Sequence, residues 1–412
     1  MATTYLTRAA NTSNTTKATY SFWVKKSKLA DTQIIHNFYS AGSTYNKLYF
    51  DGNDQIILKQ QISGSTQIQI MPSMKFRDVS GWYNIVYSID TTQGTEADRV
   101  KVYVNGVQQT SLGTATYPSV NANVAIGYTQ YIGREETGDT KFFNGSLSHF
   151  NFVDGTAYPA STFGSTDSTT GEWKINTSPS VTYGTNGFFI LKNGNSLTDE
   201  SGNSNNFTLG GGTLTKTEDC PSNNFPTWNP AFMPFNIGNG RADNGGTTIG
   251  SPGGDSSSLA SMGARSGKYY WEIRVQNAVN TRSCGVVRSD LQGQSSTSAI
   301  YPGGNGNASN FTSAYNMVNG FVQTVTGGTQ AQQGSLATLT TGDFLGVALD
   351  IDNLDIKWYK NDSLVTTTSL TSAWIENGLF IMPCNRLDGN QFVEYNFGNG
   401  CFGSTQLTGT TY

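Results

Sequence analysis

Nowhere in this chain do apolar residues recur at the three- and four-residue spacing of a sustained amphipathic helix. Two-residue alternation, by contrast, recurs from end to end. Trp82-Tyr83-Asn84-Ile85-Val86-Tyr87-Ser88-Ile89 puts Trp82, Asn84, Val86 and Ser88 on one face, and Tyr83, Ile85, Tyr87 and Ile89 on the other. Arg99 to Val104 leads into Asn105-Gly106, a hairpin signal because both residues tolerate positive φ. Tyr20 to Lys25 reads as a first core strand, and Gly187 to Leu191 as an apolar strand closing the first domain. A chain of 412 residues also exceeds the roughly 250 at which single cores stop growing, so more than one domain is expected. The 47 glycines and 13% charged content suit many short strands joined by turns, with hydroxyls and amides supplying the polar faces. Aromatic residues at 12% exclude intrinsic disorder.

Net charge is -4 and no Lys/Arg stripe stands out, which argues against a nucleic-acid surface. The densest basic spot, Lys25-Lys26 with Lys28, reads as a solvated strand end. No apolar run approaches the roughly 20 residues that span a bilayer, so no membrane insertion is expected. The start, Met1-Ala2-Thr3-Thr4-Tyr5, lacks the charged and apolar regions of a signal peptide. Cys220, Cys284, Cys384 and Cys401 are too widely spaced for a zinc site, and are expected as mostly buried free thiols. Cys284 and Cys384 fall in strands that could be neighbours.

Catalytic patterns are missing. The only histidines are His36 and His149, and no GxSxG elbow surrounds a serine. Glu135, Glu136 and Asp139 cluster in one loop, and Asp199 and Glu200 in another. No strand carries carboxylates at the alternating positions a sandwich glycosidase uses. Asp199, Ser201 and Asn203 form a weak calcium candidate, with oxygen ligands at alternating positions; the competing reading is a polar turn. No other cofactor is expected. Asp350 to Asp355 reads as a tight hairpin turn. Aromatics in or beside loops, among amides, are the binding candidates: Tyr128, Tyr131, Trp173, Tyr301, Phe311, Tyr315 and Trp374. A ring face against sugar C–H groups with amide hydrogen bonds is a common recognition mode. The alternative is that such rings plug sandwich ends or subunit interfaces.

Three resemblances order these observations. "FWVK", "WYNIVYSID", "VKVYVNGV", "IGYTQYIGR" and "FFNGSLSHFNFVDGTA", over roughly residues 15 to 165, resemble the strands of a laminin-G or concanavalin-like sandwich. Where relatives often carry an acid after the "FxGxI" strand, this chain has serine, in Asn144-Gly145-Ser146-Leu147-Ser148. Lys268 to Val275, Thr341 to Asp350, Ile356 to Lys360, Phe380 to Cys384 and Phe392 to Gly398 resemble the core strands of a SPRY domain. The stretch from Asp154 through "LTDESGNSNNFTLGG" to "DCPSNNFPTWNP" is similar to blocks in structural proteins of tailed phages.

The expected architecture is all-β: two antiparallel β-sandwiches, laminin-G/concanavalin-like over 1–218 and SPRY-like over 238–412. A connector over 219–237 is punctuated by Pro221, Pro226, Pro230 and Pro234. Gly238 to Ser261 is expected as loops or an arm, and Arg288 to Leu339 as a long insertion. The resemblances imply a binding protein without catalysis on the surface of a bacteriophage virion, made in the host cytoplasm and exposed on the particle. A tail fibre or receptor-binding adhesin of this kind contacts a host cell-surface glycan or protein and other virion proteins. It assembles as a homo-oligomer, with a trimer as first expectation. The rival is a structural virion component, such as a head decoration or tail connector, with no host ligand. A polysaccharide depolymerase is the lesser alternative.

Overall fold

The computed structural model describes residues 3–9, 13–41, 43–126, 128–136, 140–231, 235–236, 241–251, 253, 256–277, 283–291, 311–387, 389 and 391–407. The chain is all-β, with antiparallel sheets throughout. It divides into two compact units, Met1–Asn224 and Phe225–Tyr412.

The first unit packs two sheets. One is eight-stranded, in the order Leu112–Thr116, Ser65–Pro72, Ile56–Ile62, Thr44–Phe50, Gln33–Ala41, Thr129–Ile132, Tyr5–Arg8 and Thr208–Gly211. The other is six-stranded, in the order Val107–Gln108, Val100–Val104, Tyr83–Asp90, Lys17–Lys26, Gly145–Asp154 and Phe188–Ile190. Alternation explains the core: Tyr20, Phe22 and Val24 from Lys17–Lys26 meet Leu48, Phe50, Ile68 and Ile70 from the facing sheet. The turn at Asn105-Gly106 forms as the sequence dictates, with φ of 46° and 77°.

The two outer faces differ. That of the six-stranded sheet is covered by the chain that follows it: Val86 packs with Ala160, Phe163 and Trp173, and Val153 with Tyr183 and Phe189. That of the eight-stranded sheet stays half-exposed.

Lys25 and Lys26 are not solvated. Their exposures are 2% and 1%. Lys26 Nζ lies 2.8 Å from Asp54 Oδ1 and above the Phe50 ring. Lys25 Nζ lies 2.8 Å from Asp219 Oδ2, whose other oxygen accepts the Trp82 indole N–H. Burial lowers both ammonium pKa values and the aspartates partly restore them. Each strand-end lysine is thus held by a carboxylate supplied from elsewhere in the chain.

The segment expected as a connector is divided between the units. Asp219 is buried in the first, whereas Trp228 is fully buried in the core of the second, edge-on to Tyr395. An indole offers far more apolar area than the prolines around it, so burial recruits this stretch into the fold.

The second unit packs two seven-stranded sheets. The first runs Phe235–Asn236, Ser256–Leu259, Ile381–Leu387, Ser283–Arg288, Phe311–Asn316, Phe321–Thr326, Thr329–Gln333. The second runs Arg241–Asp243, Thr248–Ser251, Gln391–Asn396, Lys268–Val275, Phe344–Asp350, Asp355–Lys360, Ser363–Ser369. Two segments expected as irregular therefore supply strands. Gly238 to Ser261 gives three, because Thr248–Ser251 and Ser256–Leu259 pair with strands far along the chain. Arg288 to Leu339 gives three more, joined in part by a two-residue Gly327-Gly328 turn with positive φ at both positions. Cys284 and Cys384 lie on paired strands, with Gly285 opposite Cys384. Cys284 points into the main core beside the Tyr395 hydroxyl, while Cys384 packs with Leu259, Val287 and Met382. All four cysteines are free thiols, and Cys220 is the least buried.

Candidate functional site: a tyrosine-lined sheet face

The open face of the eight-stranded sheet is built by strand register. Thr208, Thr7, Tyr131, Asn37, Lys47, Lys59, Gln69 and Thr116 stand opposite one another, one from each strand, in a row crossing the whole sheet. A second row runs Thr129, Tyr39, Tyr45, Gln61, Thr66. The sequence Thr44-Tyr45-Asn46-Lys47-Leu48-Tyr49-Phe50 shows why: Leu48 and Phe50 enter the core, so Tyr45, Lys47 and Tyr49 must point outward. Tyr5, Tyr39, Tyr45, Tyr49 and Tyr131 are all half-buried.

The loop after Thr129–Ile132 lays charge onto this face. Lys47 Nζ contacts Glu135 at 3.0 Å and Glu136 at 2.9 Å, and also sits 4.3 Å above the Tyr45 ring. Asn37 Nδ2 donates to Glu136 Oε2 at 2.6 Å. The Arg134 guanidinium stacks 4.0 Å from the Tyr5 ring centre and 5.2 Å from that of Tyr131. Burial opposes the Lys47 charge, but hydrogen bonds to Glu136 and Glu135 outweigh it and raise the pKa. Burial likewise opposes ionisation of Glu135, yet Lys141 and Lys47 hold its pKa below the ordinary value. Tyr49 is pushed up to about 12 by burial, beside Tyr45 and Asp51. A face of fixed amphipathic rings among amides and paired charges can bind a polar surface with little entropy loss, since each ring has only two rotatable bonds.

Of the described residues among those expected from sequence, Tyr131 alone lies in this face. Tyr128 is half-buried just before its strand. Trp173 packs on the other sheet: its Nε1–H donates to Asn84 Oδ1 at 3.1 Å, and its ring covers Gly106 so closely that a Cβ there would lie 2.3 Å from Cζ3. Phe311, Tyr315 and Trp374 are core residues of the second unit, at 7%, 0% and 0% exposure. Trp374 stands edge-on to Phe311 and donates to Thr326 Oγ1, while Tyr315 packs against Trp358. Phe311 and Tyr315 fill the sandwich because their strand, Phe311–Asn316, pairs inside the sheet, and Trp374 enters it from the 3₁₀ turn Ser372–Trp374. Tyr301 lies outside the described residues, as does Asp139.

The calcium candidate resolves as a self-closed loop. Asp199 Oδ1 accepts the N–H groups of Phe189 and Ser201, and Oδ2 accepts those of Asn205 and the Ser201 hydroxyl, at 2.7–2.9 Å. Asn203 donates to the Gly184 and Gly187 carbonyls. Both carboxylate oxygens are thus committed to protein donors, and Asn203 turns its amide nitrogen inward. Among the described residues no group of three or more His, Cys, Asp or Glu side chains is placed to hold a metal ion. His149 sits at a bulge of Gly145–Asp154 with φ of 48°, bonded to Ser148.

Sequence reasoning overlooked Tyr5, Tyr39, Tyr45, Tyr49, Lys47 and Lys59 because it looked for aromatics in loops. The usable signal was tyrosine at alternate positions of an amphipathic strand.

Residues 1–161 match the family model of the Concanavalin A-like lectin/glucanases superfamily, Laminin_G_3. No curated protein matches the chain. Among solved structures it is similar to the SPRY domain of human HERC1, at 18% identity and a TM-score of 0.30, covering 39% of this chain and 92% of that one. It is also similar to the heptameric SAP-like pentraxin of Limulus polyphemus, at 16% identity and 0.29, covering 38% and 71%. The TRIM65 PSpry domain gives 12% identity and 0.31, covering 42% and 92%.

Proposed function

We propose that this is a non-catalytic recognition protein whose ligand lies on the outer face of the eight-stranded sheet. The observation that carries this reading is the contrast between the two sheets of the first unit. One outer face is roofed by the chain, while the other presents Tyr131, Lys47 and Lys59 in one continuous polar row, with Tyr39 and Tyr45 in the row beside it. A superfamily match that includes lectins over this same unit supports a binding role. The ligand class that suits the face is a host envelope glycan, with rings against sugar C–H groups and Gln61 and Gln69 as polar neighbours; a protein segment is the alternative. Together with the phage-like stretch after Asp154, this makes the chain a surface protein of a tailed phage, a tail fibre or receptor-binding adhesin working as a homo-oligomer.

Purified protein should bind intact host cells saturably and compete with phage adsorption, and Tyr45→Ala should weaken both. Failure to bind or compete on a host that the phage infects would remove the adhesin reading. The burial of Phe311, Tyr315 and Trp374 favours the second reading, a structural virion component without a host ligand, since these three rings are spent on the core of the second unit. Glu135 and Glu136 share one lysine rather than facing each other across a groove, so these two do not form the carboxylate pair a depolymerase needs.

A further inference from the structure

We propose that a second copy of this chain adds to the seven-stranded sheet at Thr329–Gln333, strand against strand, about a two-fold axis at Gln332. Among the described residues the four large sheets have eight terminal strands, and seven of them are blunted. Val107–Gln108 and Phe235–Asn236 have two residues each, and Phe188–Ile190 and Arg241–Asp243 have three. Bulges interrupt the pairing of Leu112–Thr116, Thr208–Gly211 and Ser363–Ser369 with their neighbours. Short edges and bulges are how sheets avoid pairing with other chains. Thr329–Gln333 has neither: it pairs with Phe321–Thr326 over five unbroken positions. Its five residues are all exposed. It also has no charge and no proline, and no charged residue occurs anywhere in 291–342.

The geometry fixes which groups face outward. Thr326 and Thr329 flank the two-residue turn and form a hydrogen-bonded pair, so Ala331 and Gln333 also bond inward and the Gln332 N–H and C=O point away from the sheet. The strand is held in place by Gln333, which donates to the Thr367 carbonyl at 3.1 Å and accepts from Thr368 Oγ1 at 2.8 Å. Across a two-fold axis at Gln332, the two Gln332 residues exchange N–H···O=C bonds. Their side-chain amides, each both donor and acceptor, then face one another as a matched pair. A self-complementary uncharged edge fits a copy of itself better than a charged partner, and the resulting interface is isologous.

Sedimentation equilibrium of the full chain over a concentration series tests this, and does not depend on the glycan reading. A reversible dimer is expected. Gln332→Pro removes the outward N–H, and Gln332→Lys places like charges opposite each other; each should weaken dimerisation at least about tenfold with unchanged circular dichroism. If Gln332→Pro fails to fold, Gln332→Lys alone decides. A monomer at every concentration, an oligomer that both variants leave intact, or a trimer whose Gln332 amide exchanges freely would overturn the proposal.

Discussion

Lys26 and Asp54 form an ion pair at 2.8 Å in which neither side chain reaches solvent, their exposures being 0% and 2%. Asp54 Oδ1 also accepts the Ala30 N–H, and Oδ2 contacts the exposed Arg77. Removing one member strands the other in a low-dielectric site. Lys26→Met should therefore cost about 3–5 kcal/mol. Urea unfolding of the full chain checks this, and a loss under about 1 kcal/mol would show the pair to be solvated.

A buried histidine on Gln33–Ala41 makes stability depend on acidity. His36 is buried among Tyr20, Phe38, Phe150 and Phe152. Burial lowers its pKa to about 3, with a hydrogen bond to Gln130 opposing the shift and Arg8 adding to it. The unfolded chain binds this proton near pH 6.5 and the folded chain does not. Stability is therefore flat in this group above pH 6.5 and falls as pH drops toward 3, by on the order of 4 kcal/mol. His36→Leu should flatten that part of the pH–stability curve. An unchanged slope would mean that His36 is protonated in the fold.

Trp173 and Tyr131 should part in their effects. Trp173→Ala loses the bond to Asn84 and the packing around Ala160 and Phe163, at a cost of about 3–4 kcal/mol, while cell binding by the folded protein is unchanged. Tyr131→Ala should leave Tm nearly unchanged and weaken binding about tenfold or more. Thermal melts paired with cell-binding isotherms separate the two; the reverse pattern would move the site to the other sheet.

Gly106 should tolerate no side chain. Its φ is 77° and the Trp173 ring occupies the Cβ position. Gly106→Ala should cost about 1–3 kcal/mol by calorimetry. A neutral result would show that the ring swings away freely.

Asp199 should behave as a loop hub. Asp199→Ala leaves the Phe189, Ser201 and Asn205 N–H groups without their acceptor and should cost about 2–3 kcal/mol. Chelation of divalent cations should leave Tm in place. A chelator-induced drop matching the mutant would restore the calcium reading.

The strands with clean alternation were legible. Tyr83–Asp90, Val100–Val104 and the Asn105-Gly106 turn are written in neighbouring residues, and Lys268–Val275 and Asp355–Lys360 form where their patterns place them. The strands in Gly238 to Ser261 were hidden by glycine and serine, whose strand preference is weak. They form only because Gln391–Asn396 and Ile381–Leu387 offer open ladders.

By itself, then, the sequence determined an all-β chain, the core-facing side of its stronger strands and the turns that need positive φ. Each depends on residues two to four positions apart. Which polar and aromatic groups are buried was decided only by the tertiary structure. Lys25 looks solvated until Asp219, 194 residues away, closes over it. Phe311 and Trp374 look like loop rings until a strand and a turn bring them together edge to face. The open sheet face was likewise decided late, because a strand's outward side is solvent or interior according to what the rest of the chain lays upon it.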